Sequence, residues 1–183
     1  MNQSAAPYVL TRDQARSHPG TVPPVKAGAA DTGGLLTVTE GVLEPGTPGP
    51  PLHLHEDSDE CFYVAEGRLL IQVGEDRHEL GPGCFAWAPR QVPHTFANVS
   101  ASPVRLLGIA VPGGIEELFA EQAAYFAGLQ GPPDLAELAA IGARHGGRLL
   151  GPPISVDAGG RSEPPMTTCT SSAAGLPAPP ADR

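Results

Sequence analysis

The run His53-Leu54-His55-Glu56-Asp57-Ser58-Asp59-Glu60-Cys61-Phe62-Tyr63-Val64-Ala65-Glu66-Gly67 decides how the rest of this chain is read. Residues two apart on a strand project to the same face, so His53 and His55 are expected side by side. The acidic stretch after them reads as a turn. Glu60 then opens a second strand, with Phe62 and Val64 on its face and Cys61 on the opposite one. Farther along, His94 shares a strand face with Phe96 and Asn98. Two candidate ligands from one strand and one from each of two others can converge on a single cation. A His-x-His pair alone is a weak signal; the weight lies in the full spacing.

Outward from this run, short β-branched or aromatic segments lie between Gly, Pro, Asp and Asn. They predict strands over Leu35–Leu43, Cys61–Ala65, Arg68–Val73, Arg77–Leu80, Phe85–Ala88, His94–Val99 and Val104–Val111. Such close recurrence, without alternating helices, points to an all-β sandwich or barrel. In the strand over Phe85–Ala88, parity leaves two options open: Phe85 and Trp87 face inward, or Ala86 and Ala88 do. After Pro112-Gly113-Gly114 the period becomes helical through Ile115, Leu118, Phe119, Gln122, Tyr125, Phe126 and Leu129. Pro132-Pro133 breaks that helix, Asp134 caps a second with Leu135, Leu138 and Ile141 on its face, and Gly146-Gly147 ends it. The expected organisation is an N-terminal arm (1–33), a β-barrel (34–111), a helical hairpin (112–151) and a disordered tail (152–183).

Composition narrows the partners. Eleven basic and 20 acidic side chains among 183 residues give a net charge of −9, with no Lys/Arg cluster to neutralise phosphates, so nucleic acid is not expected. No run approaches the roughly 20 apolar residues of a membrane span. Cys61, Cys84 and Cys169 are an odd set without C-x-x-C spacing, a poor disulfide framework and a poor zinc knuckle. The first residues lack a basic and then apolar leader, so a reducing cytoplasm is the expected location. Asn98-Val99-Ser100 matches a glycosylation acceptor, but without a leader the match is read as chance. Glu56, Asp57 and Asp59 read as a solvated turn, His78 as an exposed hairpin residue, and His145 as a complement to a helix C-terminus. His18 falls in the arm.

The spacing resembles the two motifs of the cupin superfamily. In the first, G-x5-H-x-H-x3/4-E-x6-G, His53, His55, Glu60 and Gly67 fit, and Gly46 or Gly49 stands in for an opening glycine that falls at Thr47. The second, G-x5-P-x-G-x2-H-x3-N, is met by Gly83, Pro89, His94 and Asn98, with Gln91 in place of its second glycine. The resemblance covers about Leu35 to Val111. It implies a double-stranded β-helix, or jelly roll, of the cupin type and a metal site of His53, His55, Glu60 and His94. Imidazole and carboxylate ligands without thiolate suit one divalent transition ion, Fe, Mn, Ni, Cu or Zn. The Pro112-Gly113-Gly114 helix is similar to that of single-domain quercetinase-like cupins, and the likeness leaves two expectations open for it, a lid over the barrel mouth or a dimer contact.

That likeness implies a dioxygenase acting on an enolic or phenolic aromatic molecule. Glu60 would be both ligand and proton acceptor, and the pocket would be lined by Phe62, Val64, Phe96 and inward-facing Ala86 and Ala88. A metal-assisted isomerase, cyclase or hydrolase that uses no dioxygen, and a small-molecule-binding module, are the alternatives. A homodimer is the assembly the family implies.

Overall fold

The structure is a computed structural model, and it describes residues 6–12, 14–16, 21–156 and 167–169. The first part of the chain forms β1 (Val25–Ala27), the short α1 (Ala29–Thr32), β2 (Thr37–Leu43), β3 (Thr47–Pro48) and β4 (Leu52–His55). There follow β5 (Asp59–Glu66), β6 (Leu69–Val73), β7 (Asp76–Leu80), β8 (Phe85–Ala88), β9 (His94–Asn98) and β10 (Val104–Val111). Then come α2 (Ile115–Ala127), α3 (Leu135–Arg144), β11 (Gly147–Gly151) and β12 (Thr167–Cys169).

The strands make two sheets, one in the order β1-β2-β10-β5-β8 and the other β11-β4-β9-β6-β7-β12, with β3 paired to β9. All pairings are antiparallel except β12 on β7. The core lies between the sheets. Phe62, Val64, Ala88, Val104 and Leu106 from the first sheet pack with Leu69, Ile71 and Leu80 from the second. Each fully buried Leu, Ile, Val or Phe here contributes about 1.5–3 kcal/mol by leaving water. Two facing antiparallel sheets joined this way are the jelly roll expected from the sequence.

Strand bounds differ from the sequence reading by a residue or two, as ends do. Larger differences come from pairings that local pattern does not encode. Gly146-Gly147 stops α3 as expected, and the chain after it, for which the sequence predicts no strand, adds β11 beside β4, with Gly147 opposite His55 and Leu149 opposite His53. The arm contributes β1 to the edge of β2. Within the segment expected to be disordered, Ile154 is buried against Leu70 and Ala97 on the outer face of the second sheet, with Val156 beside it. Thr167–Cys169 forms a strand, and Cys169 is disulfide-bonded to Cys84 across 85 residues, where the sequence reading gave neither cysteine a partner. Such a bond persists in oxidising surroundings and opens in reducing ones. The rest of the expected tail, 157–166 and 170–183, and His18 lie outside the described residues.

Two residues of the motifs act on the backbone. Gly67 turns β5 into β6 at φ +84, and a Cβ there would meet the Pro103 carbonyl oxygen at 2.4 Å, so only glycine fits. Asn98 is fully buried. Its amide nitrogen lies 2.9 Å from the Leu43 oxygen, 3.1 Å from that of Glu44 and 2.8 Å from that of Ser102, which holds the end of β9 to the loop leaving β2. A buried amide so engaged is not a glycan acceptor in the folded chain, so the Asn98-Val99-Ser100 match has a structural explanation.

Candidate metal centre

His53 and His55 stand on β4, His94 on the neighbouring β9 directly opposite His53, and Glu60 near the start of β5 in the other sheet. The four candidate ligands therefore close the barrel from both sheets. One oxygen, Glu60 Oε2, lies 2.8 Å from His94 Nε2, 3.1 Å from His55 Nε2 and 4.0 Å from His53 Nε2. The four donor atoms all lie within 4.8 Å of one another. Donors about 2.1 Å from a common ion are at most about 4.2 Å apart, so a shift of a few tenths of an ångström would seat one.

Local hydrogen bonds orient the rings. His53 Nδ1 lies 2.8 Å from the Pro51 carbonyl oxygen and His94 Nδ1 3.0 Å from that of Val92. A carbonyl only accepts, so each Nδ1 carries the proton and donates, which turns Nε2 into the cluster as the atom available to an ion. His55 Nε2 is buried and makes no aligned hydrogen bond, although Glu60 Oε2 is at bonding distance from it. The nitrogen is close to the carboxylate but directed past it. A buried lone pair without a donor is costly unless a proton or a cation satisfies it. This donor set fits a divalent transition ion and could hold one.

The electrostatics agree. Burial, reinforced by the neighbouring His94, lowers the His53 pKa to about 4, so its ring is neutral and ligand-competent at pH 7. Burial pushes Glu60 up, but the adjoining His55 imidazole at 3.1 Å and the hydrogen bond from His94 outweigh it and hold the carboxyl well below its usual range. Burial pushes His94 down, and its bond to Glu60 more than reverses that. His94 and Glu60 thus share a proton that a cation would displace.

The structure resolves the parity of β8: Ala88 is buried and Ala86 half-buried, whereas Phe85 and Trp87 face solvent. Phe62 stands beside the site, its ring centroid 5.9 Å from that of His94 and 5.4 Å from that of Phe96. Val64 and Ala88 lie deeper, fully buried in the closed core. Among the other histidines, His145 Nε2 is 2.7 Å from Glu121 Oε2 between the two helices, and His78 is half-buried on β7, not exposed.

Two further supports flank the ligands, and the first makes Asp59 an ion-paired residue of β5 where the sequence predicts a solvated turn. The Arg90 backbone N–H donates to Asp59 Oδ1 at 2.8 Å while its guanidinium grips both carboxylate oxygens at 3.1 Å. That clamp fixes the residue before Glu60 to the turn leading into His94. Gln91, in place of the motif glycine, adopts φ +64 and donates its N–H to the His55 oxygen at 2.7 Å. The Pro89-Arg90-Gln91 turn is therefore built as the motif requires, with left-handed strain carried by a non-glycine residue.

Residues 39–110 match the cupin-domain family Cupin_2. The chain is 31% identical over 61 residues to the uncharacterized protein MJ1618 of Methanocaldococcus jannaschii, covering 33% of this chain and 49% of that one. To quercetin 2,3-dioxygenase of Bacillus subtilis it is 30% identical over 97 residues, 52% of this chain and 28% of the other. The chain thus spans less than half the length of either relative. Among solved structures, KdgF from Halomonas sp. superposes with a TM-score of 0.51 at 17% identity, covering 62% of this chain and 99% of that chain. This last likeness concerns the fold. Among the described residues, no helix is long and apolar enough to cross a membrane.

Proposed function

We propose that the protein is a metal-dependent dioxygenase that oxidises or cleaves an enolic or phenolic aromatic small molecule. The observation that supports this best is the convergence of His53, His55, His94 and Glu60 from both sheets, with two ring tautomers fixed by backbone carbonyls. The partial likeness to a quercetin 2,3-dioxygenase supplies the substrate class. A bound divalent transition ion would supply Lewis acidity at a substrate oxygen and, if redox-active, a route to dioxygen.

The chain's own groups do the rest. The three imidazoles and Glu60 Oε2 face one point, which leaves Glu60 Oε1 as the acceptor of the substrate hydroxyl proton. The hydrogen bond from His94 and the adjoining His55 imidazole keep that carboxylate ionised, the state in which it can accept. Phe62, Phe96 and Ala86 would bear on the aromatic ring, with Val64 and Ala88 behind them excluding water. The barrel (34–111) is the site-bearing unit in this reading, and the hairpin (112–151) an appendage to it.

Oxygen uptake with flavonols and other enolic aromatics, measured on metal-loaded protein, tests the assignment. Uptake that depends on substrate and is lost in E60Q is expected. Anaerobic turnover at the aerobic rate, or E60Q with full turnover, would overturn the dioxygenase reading or the role of Glu60, respectively.

A further inference from the structure

Strands β11 and β12 occupy opposite edges of the second sheet, although they follow one another in the chain. Between them in sequence, Ile154 is buried against Leu70 of β6 and Ala97 of β9, with Val156 beside it. The described residues after α3 therefore form a strap on that sheet, from the β4 edge to the β7 edge. Its far end is β12, whose three residues pair in parallel with His78, Glu79 and Leu80. A terminal strand that short stays ordered when something ties it down. The tie is the bond from Cys169 to Cys84, just before β8.

The near end of the strap bears on the metal centre. Ligand strand β4 pairs with β9 at one position, His53 with His94, and with β11 at four. The same segment holds both ends of β4. The Glu56 N–H donates to the Gly146 oxygen at 2.7 Å, and the Leu52 N–H to the Pro152 oxygen at 3.3 Å. The backbone that carries His53 and His55 thus owes most of its pairing to 146–152, next to the point where Ile154 grips the sheet. The two sulfurs of the tie differ in access. Cys84 is buried in the core cluster with Val64, Leu69 and Leu80, whereas Cys169 is exposed. Exposed disulfides are the labile and regulatory ones. The core around Cys84 closes with its own apolar side chains, so opening the bond frees the strap and leaves the barrel standing.

We propose that Cys84–Cys169 is a redox latch on the metal centre. Closed, it holds the strap and β11 against β4; opened by a dithiol reductant, it lets both loosen, and the site releases its ion faster. The opening is thiol–disulfide exchange. One thiolate of the dithiol attacks the accessible Cys169 sulfur, the Cys84–Cys169 bond breaks, and Cys84 leaves as a thiolate that takes up a proton. The second thiolate of the reductant then attacks its own sulfur in the mixed disulfide and releases Cys169, which is protonated in turn. The dithiol ends as its disulfide, oxidised by two electrons, and the two protons it loses are those the cysteines gain. The latch is independent of which reaction the metal centre performs.

Amide hydrogen exchange on the whole protein without metal reads the latch directly. With the bond reduced by dithiothreitol, amides of 147–151 and 52–56 should exchange about tenfold faster while those of β10 stay unchanged, and reoxidation should restore them. C169S, which leaves the core cysteine in place, should show the fast exchange with or without the dithiol. Loaded with Zn(II), reduced wild type and C169S should pass the ion to a chelator about tenfold sooner than the oxidised protein. The proposal fails if peptide mapping of the oxidised protein finds free thiols at Cys84 and Cys169. It fails if reduction speeds exchange in β12 alone and leaves 52–56 unmoved, because the bond is then a staple and not a latch. It fails equally if the dithiol speeds ion loss from C169S as much as from wild type, which would make the dithiol a competing chelator.

Discussion

Among the described residues, Glu60 and Glu116 both lie withdrawn from solvent, and their surroundings differ in kind. Glu116, in the first turn of α2, accepts hydrogen bonds from the Thr37 hydroxyl, from the Ala29 N–H at 2.5 Å and from the Gly114 N–H at 3.1 Å. These donors belong to the backbone and to a hydroxyl and cannot be exchanged for anything else. Glu116 fastens α1, β2 and α2 together. Glu60 faces only imidazoles, whose lone pairs satisfy a carboxylate when they carry a proton and an ion when they do not. A buried carboxylate with fixed donors is a fastening; one among exchangeable donors is a site. The sequence marks both as Glu near the start of an element, so only the donors distinguish them.

The largest effect expected from breaking this contrast is at the metal centre. Removing two imidazoles, in H53A/H55A, should abolish stoichiometric binding of a divalent transition ion while the fold persists, as read by metal analysis and circular dichroism. E116Q should do the reverse. It leaves metal content unchanged and costs about 3 kcal/mol in denaturant unfolding, because charged hydrogen bonds are lost and a misplaced amide meets the Ala29 and Gly114 N–H groups.

A pH series sharpens the same comparison. Burial pushes the Glu116 carboxyl up, but its hydrogen bonds from Thr37, Ala29 and Gly114 outweigh this and hold it below its ordinary value. A depressed folded-state value means the contribution is complete above the unfolded value, about 4.3, and is lost as pH falls through the folded one. The stability gap between wild type and E116Q should therefore be constant from about pH 7 to 5 and narrow below about pH 4. A gap that widens in acid would contradict this account of Glu116.

The smallest effect concerns the turn beside His94. Gln91 holds φ +64, and glycine adopts that conformation without strain. Q91G should stabilise the protein by about 0.5–1 kcal/mol, the relief of strain exceeding the added freedom of the unfolded chain. A destabilised Q91G would show that the side chain makes contacts worth more than the strain.

How far the sequence could be read follows from which features are local. Strand alternation placed Glu60, Phe62 and Val64 on one face and Cys61 on the other, because the period of two is fixed by the backbone. Spacing brought His53, His55 and His94 to one point because the register of β4 on β9 sets His53 opposite His94. The inward face of β8 stayed open in the residues themselves: FAWA offers a small apolar pair and a large one, and only packing against Leu69 and Ile71 selects the alanines. Strand β11 was missed because Arg148-Leu149-Leu150 is too short to show a period and its partner lies about ninety residues back. The Cys84–Cys169 bond was illegible for the same reason, since cysteine spacing across 85 residues carries no register. Glu116 carries no local signal of its role, because its donors come from α1 and β2, which no local pattern brings near.

The account rests on His53, His55, Glu60 and His94 acting as one ion site, and metal analysis of purified wild-type and H53A/H55A protein tests that most directly. It predicts one equivalent of a divalent transition ion in the wild type and none in the variant. Equal content of the same ion in both would contradict it.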